Sequence, residues 1–170
     1  IVEKVCMNIV YAANENFAKH LAVSLYSLYE RNRYEKEIRV FIISMGIGED
    51  SLGKLENIGK KFSREIEIID FNNIKGRFDY GVKTGTFDIS IMARLFVGEL
   101  LPSDVKKVLY LDCDTVVLHS IKGLYNTDLK NNVLAAVEEP TVPERVRYEI
   151  RLDANASYVN SGVLLIDLKA

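Results

Sequence analysis

From Val5 to Ala13 the chain is apolar at every position but Asn8, which is the pattern of a strand buried on both faces. Such a strand must lie inside a sheet with helices over it, so the segments after it have to supply both. From Asn16 the apolar residues Phe17, Leu21, Leu25, Leu28 and Tyr29 recur every three or four positions, predicting a helix that ends near Arg31-Asn32-Arg33. A second buried strand, Ile38 to Met45, precedes Gly46 and Gly48 and a helix over about 49–62 with Leu52, Leu55 and Ile58 inward. Glu65 to Phe71 alternates and makes a third strand. This order predicts an α/β fold with a Rossmann-like parallel half-sheet, whose ligands bind at the carboxyl ends of the strands.

The second half of the chain is less regular. Residues 72–87, with glycines at 76, 81 and 85 among charged residues, read as a mobile loop. Residues 88–100 read as a helix with Ile91, Leu95 and Leu100 apolar and Arg94 among them, ended by Pro102. Strands are expected at Lys107 to Leu111, in a short continuation at Thr115 to Leu118, at Val133 to Val137 and at Tyr158 to Asp167. Val142 to Leu152 reads as a polar helix.

At 170 residues and 48% hydrophobic content, the chain suits one globular domain with a real core. Its 22 basic and 24 acidic residues are spread along it, and the net charge of −2 gives no electrostatic reason to expect nucleic acid as a partner. The two cysteines, Cys6 and Cys113, have no zinc-site or disulfide spacing, so a reducing compartment is expected. No apolar run approaches the roughly 20 residues that span a bilayer, and no signal pattern opens the chain, so a cytoplasmic protein is expected. A chain that opens at Ile1-Val2 and stops at Ala170, just after a strong strand, reads as a piece of a longer protein.

The chemistry concentrates at Asp112-Cys113-Asp114, two carboxylates one residue apart after the apolar run Val108-Leu109-Tyr110-Leu111. On a regular strand, residues i and i+2 share a face, so both carboxylates can converge on one hard cation, manganese or magnesium, held against a diphosphate. The cation would stabilise the diphosphate as a leaving group. A lone Asp-x-Asp serves equally well as surface turn chemistry.

The run from Lys106 to Val117, with Ile121, Leu124 and Asp128-Leu129 behind it, resembles the metal-binding core of glycosyltransferase family 8. That is the family of glycogenin and of bacterial lipopolysaccharide galactosyl- and glucosyltransferases. Three further segments resemble the family in the same order: Asn8 to Phe17, Ser90 to Leu95, and Tyr158 to Leu168 with its Asn160-Ser161-Gly162-Val163 motif. The resemblance implies a nucleotide-diphospho-sugar transferase fold of the GT-A type. It also implies a retaining transfer of glucose or galactose from UDP-glucose or UDP-galactose to a glycan acceptor such as lipopolysaccharide.

Carried over residue by residue, the resemblance places Asp112 and Asp114 on the metal, and Ala12, Asn14 and Asn16 on the uridine and ribose. Many relatives have Asp where Asn14 stands, and a neutral amide makes a weaker contact with the uracil imide. Arg94 falls at a basic position near the diphosphate and donor sugar, and Asn160 at one that hydrogen-bonds the sugar, with Cys113 and Ser161 beside them. A structural ion pair would also account for Arg94, a helix cap for Asn14 and Asn16, and a strand-end turn for Asn160. Glu139 aligns loosely with an acceptor-side acid, although Glu138 and Glu139 also suit a solvated pair, and His20 and His119 read as structural. The resemblance puts the third metal ligand, a histidine, beyond Ala170, together with any peripheral membrane attachment. Two rival classes are a non-catalytic UDP-sugar-binding domain and a sugar nucleotidyltransferase. The latter would be expected to carry a glycine-rich, basic loop where Ala13-Asn14-Glu15-Asn16 stands.

Overall fold

Strand β1, Met7–Ala13, is buried at all seven positions and lies at the centre of the molecule. The computed structural model describes residues 6–78, 88–153 and 156–169. β1 pairs in parallel with β2, Ile38–Ser44, and β2 with β3, Ile66–Asp70. On its other side β1 pairs in parallel with β4, Lys107–Leu111. Beyond β4 the direction reverses, because β6, Val159–Asp167, runs antiparallel to β4 and also to β5, Leu134–Glu138. The six-stranded order is β3-β2-β1-β4-β6-β5. The expected parallel half-sheet is present, and β6 and β5 extend it into a mixed sheet.

Helix α1, Ala18–Arg31, buries Leu21, Leu25, Leu28 and Tyr29 against Ile9, Tyr11 and Leu109 on one face of the sheet. Full burial of each such side chain is worth about 1.5–3 kcal/mol, against about 0–1 kcal/mol for an exposed ion pair, so the apolar stripe holds the helix. Helix α2, Glu49–Lys61, has Glu49 and Asp50 in its first turn and Lys60 and Lys61 in its last, as the helix dipole favours. On the opposite face of the sheet, Val10, Ala12, Phe41, Ile43, Val108 and Tyr110 meet Ala93 and Val97. Those two residues come from a 3₁₀ helix, Ile89–Phe96, and the short α3, Val97–Leu100, which together replace the single α-helix expected over 88–100. In the expected loop 72–87, Ile74–Arg77 forms a 3₁₀ turn, and residues 79–87 lie outside the described residues.

The strand expected at Thr115 to Leu118 is not formed. The chain turns at Cys113-Asp114 and then runs over α1 in an irregular path to the one-turn α4, Lys122–Tyr125. α1 supplies partners for that path: Ser27 Oγ accepts from the Val117 amide at 2.9 Å, and Asn32 Oδ1 accepts from the Ile121 amide at 3.0 Å. Ser24 Oγ meets the Thr115 hydroxyl at 3.0 Å. Helix side chains thus satisfy backbone groups that a sheet neighbour would otherwise pair. Within the expected polar helix at 142–152, α5 occupies Glu144–Glu149.

Asn32 is buried, at 1% exposure, and its amide also donates to the Leu28 carbonyl at 2.8 Å. Asn32→Ala is expected to leave the buried Ile121 amide unpaired and to cost about 1–3 kcal/mol in urea unfolding. A cost below about 0.5 kcal/mol would mean that this anchoring carries little of the stability.

Candidate functional site

The carboxyl ends of β1 and β4, the 3₁₀ helix and the start of β6 enclose a cleft of about 650 Å³. That volume is within the range of small-molecule sites. Its walls include Ala12, Ala13, Phe17, Arg94, Leu95, Tyr110, Asp112, Cys113, Asp114, Tyr158 and Ser161. Six of the residues expected at a site therefore line one cleft: Ala12, Arg94, Asp112, Cys113, Asp114 and Ser161. Asn14, Asn16 and Asn160 do not form its wall.

β4 ends at Leu111, and its last sheet contact is the Asp112 amide donating to the Gly162 carbonyl at 2.7 Å. The next residues form a turn closed on the Asp112 carbonyl, which accepts from the Thr115 amide at 3.2 Å and from the Thr115 hydroxyl at 2.8 Å. Asp112 and Asp114 consequently reach the cleft from the end of a strand and from a turn. The regular strand face expected for both stops at Asp112. The Thr115 hydroxyl continues through Ser24 to the buried Tyr11 hydroxyl, tying the turn to the core.

Arg94 crosses the cleft. Its Nε donates to the Ile91 carbonyl at 2.9 Å, and its Nη1 donates to the carbonyl and to the hydroxyl of Ser161, the latter at 2.8 Å. Nη2 forms an ion pair with Asp112 Oδ1 at 2.9 Å, and the guanidinium lies 4.9 Å from the centre of the Tyr110 ring. The Arg94 side chain is 14% exposed and that of Asp112 is 31% exposed, so the pair is less screened than a surface bridge. The Tyr110 hydroxyl donates to the same Asp112 Oδ1 at 2.8 Å, and burial holds that hydroxyl well above its usual pKa. Asp114 is exposed, and no hydrogen bond or ion pair holds it among the described residues.

Cys113 packs inward with Leu111 and Ile121. Burial, and then the charges of Asp114 and Asp112, push its thiol up to about 11, so it stays protonated and is a poor metal ligand. The hard-cation donors in the cleft are the two carboxylates, whose oxygens suit manganese or magnesium, and no group of three or more His, Cys, Asp or Glu side chains gathers among the described residues.

The asparagines are occupied in turns. Asn14 Oδ1 accepts from the Asn16 amide at 3.1 Å and caps the 3₁₀ turn Glu15–Phe17. Asn160 Oδ1 accepts from the Gly162 amide at 2.9 Å, closing a turn at the start of β6. Glu138 accepts from the Ser157 hydroxyl at 3.1 Å, and neither it nor Glu139 lines the cleft. His20 and His119 are both exposed, and neither lines the cleft.

Phe17 and Tyr110 line the cleft although the sequence does not mark either as a site residue. Phe17 falls on the apolar spacing of α1, yet it precedes that helix, is 38% exposed and presents an aromatic ring to the cleft. Tyr110 blends into the apolar run of β4. Its place two residues before Asp112, on the same strand face, is the signal that distinguishes it.

Comparison with known proteins gives a consistent picture. The pattern of Glycosyl transferase family 8 matches residues 8–170. General stress protein A of Bacillus subtilis (strain 168) is 29% identical over 165 residues, covering 96% of this chain and 57% of that protein. The lipopolysaccharide 1,2-glucosyltransferase of Escherichia coli (strain K12) is 27% identical over 167 residues, covering 96% of this chain and 48% of that protein. The chain thus spans about half the length of the curated relatives it matches. Among solved structures, the galactosyltransferase LgtC in complex with donor and acceptor sugar analogues superposes with a TM-score of 0.83 at 34% identity. That match covers 96% of this chain and 58% of LgtC, and the fold is of the same GT-A type.

Glu15 anchors the loop after β1 from outside the cleft. Its carboxylate accepts from the Gly48 amide at 2.8 Å and from the Ser51 hydroxyl at 2.8 Å, capping α2, whose own N-cap is a glycine. The Gly48 bond, followed by the Ser51 bond, lowers the Glu15 pKa. A carboxylate lowered in the folded state stabilises fully above its unfolded pKa and loses that contribution as pH falls through the folded value. Glu15→Gln is therefore expected to lower Tm at pH 7 and to flatten the fall in Tm on acidification below about pH 4.3. A variant whose Tm falls with acid as the parent's does would show that Glu15 does not cap α2.

Proposed function

Because the chain belongs to glycosyl transferase family 8, we propose that the protein it comes from is a metal-dependent, retaining hexosyltransferase that moves glucose or galactose from a UDP-sugar to a glycan acceptor. The observation that carries this reading is the convergence of Asp112, Asp114 and Arg94 on one cleft at the carboxyl ends of β1 and β4. The likeness to LgtC, itself complexed with donor and acceptor sugar analogues, supports a nucleotide-sugar donor and a sugar acceptor. The likeness to a lipopolysaccharide glucosyltransferase supports lipopolysaccharide as the acceptor class. Two free thiols, Cys6 and Cys113, accord with a reducing, cytoplasmic setting.

In this reading Asp112 and Asp114 hold manganese or magnesium, which when bound neutralises the diphosphate and makes UDP a better leaving group. Ala12, a small residue at the end of β1, leaves room for the nucleoside, with Asn14 and Asn16 on the loop beyond it and Phe17 offering a ring face to the base. Cys113 and Ser161 flank the diphosphate, and Ser161 also fixes the Arg94 guanidinium. Arg94 brings a permanent positive charge to the departing diphosphate. Asn160 spends one acceptor lone pair of its Oδ1 on Gly162, and the rest of its amide orients a hexose hydroxyl. The bond from the anomeric carbon to the diphosphate oxygen breaks with its electron pair leaving on UDP. The acceptor hydroxyl then bonds to the anomeric carbon on the vacated face, and its proton passes to the departing phosphate oxygen. No protein nucleophile takes part, and the anomeric configuration is retained.

Isothermal titration of UDP into the full-length protein tests the site. Binding is expected to tighten at least roughly tenfold with Mn²⁺, and the gain to vanish in Asp114→Ala. Binding that is indifferent to metal and survives Asp114→Ala would remove the assigned role. NMR of the glycosylated product is expected to show the donor's anomeric configuration, and an inverted centre would overturn the mechanism.

A further inference from the structure

The two carboxylate oxygens of Asp112 have different surroundings. Oδ1 accepts from the Tyr110 hydroxyl at 2.8 Å and is ion-paired to Arg94 Nη2 at 2.9 Å. Oδ2 lies beside Gly162, where a Cβ atom would come within 2.9 Å of it. The absence of a side chain on the facing strand therefore keeps room for one oxygen, while two donors engage the other.

Tyr110 can hold Oδ1 because it is itself held. Strand alternation puts it on the same face as Asp112. Its ring is buried among Val10, Ala12 and Val108, so the hydroxyl has little freedom to leave. A phenylalanine would fill the same volume, bury the same apolar area and support the Arg94 guanidinium equally well. Only the bond to Asp112 needs the oxygen, since a hydroxyl brought into a core without a partner is destabilising.

We propose that Tyr110 is a positioning residue: with Arg94 it commits Oδ1 of Asp112 to the protein and leaves Oδ2 as the oxygen offered to a divalent cation. The inference rests on the metal role proposed for Asp112 and Asp114 and deepens it. Two donors on Oδ1 fix the plane of the carboxylate before the cation arrives, so less orientational freedom is lost on binding. A carboxylate with one oxygen committed also binds through the other alone. That leaves positions in a small octahedral shell for water and for diphosphate oxygens. Groups that orient a ligand in this way typically change metal affinity by roughly 10–100-fold when removed.

Tyr110→Phe in the full-length protein tests the proposal, with free Mn²⁺ counted by electron paramagnetic resonance at saturating UDP. Mn²⁺ affinity is expected to fall roughly tenfold or more. UDP affinity without metal and the thermal midpoint are expected to stay close to the parent's, a split that a general packing defect would not produce. Asp114→Ala, measured alongside, separates the two levels of the argument. If Asp114→Ala loses Mn²⁺ while Tyr110→Phe binds it as the parent does, the positioning role is wrong and the metal site stands. If Asp114→Ala keeps full Mn²⁺ affinity, the metal assignment fails and the role of Tyr110 fails with it.

Discussion

At the end of β4 the Asp112 amide donates to the Gly162 carbonyl at 2.7 Å, and this bond is where the sheet hands the chain over to the site. On one side β4 is parallel to β1, which brings the loop after Ala13 to the same end of the sheet. On the other side it is antiparallel to β6, so the beginning of β6, with Ser161 and Gly162, arrives at the same place. A wholly parallel sheet would put the start of β6 at the opposite end, and Ser161 could not reach Arg94. The change of strand direction at β4 thus assembles the cleft, and the lack of a side chain at Gly162, where a Cβ would come 2.9 Å from Asp112 Oδ2, leaves room for the Asp112 carboxylate.

The turn beyond β4 is supported from beneath by helix α1. The hydroxyls of Tyr11, Ser24 and Thr115 link the core to the Asp112 carbonyl, and Ser27 and Asn32 hold the chain farther along. α1 therefore presents two kinds of surface: leucines that join it to the sheet and short polar side chains that replace a missing strand partner. Stability and site geometry meet in this helix, since buried groups that secure it also fix where Asp114 leaves the backbone.

The parallel half-sheet is legible in the sequence because β1 and β2 are predominantly apolar runs and α1 carries a regular stripe. Asp112, Asp114 and Arg94 are legible through the company they keep in the chain. Thr115 to Leu118 misleads because its β-branched residues suit a strand, while strand formation needs a sheet neighbour that propensity cannot reveal. Ser24, Ser27 and Asn32 decide the matter, and their role shows only once the helix lies against that segment. Phe17 misleads because it continues the helical spacing one residue before the helix begins. Asn14 and Asn160 each close a local turn, as short polar side chains do wherever a nearby amide needs an acceptor, and that role is compatible with the donor contacts proposed for them.

The central claim is that the two carboxylates beyond β4 are the protein's contribution to one hard-cation site facing a nucleotide diphosphate. Anomalous diffraction from crystals of the full-length protein grown with Mn²⁺ and UDP tests it most directly. One manganese peak is expected within about 2.0–2.3 Å of both Asp112 Oδ2 and an Asp114 oxygen, with UDP phosphate oxygens on its other side. UDP bound in the cleft with no manganese at those carboxylates, or with manganese held elsewhere, would contradict it.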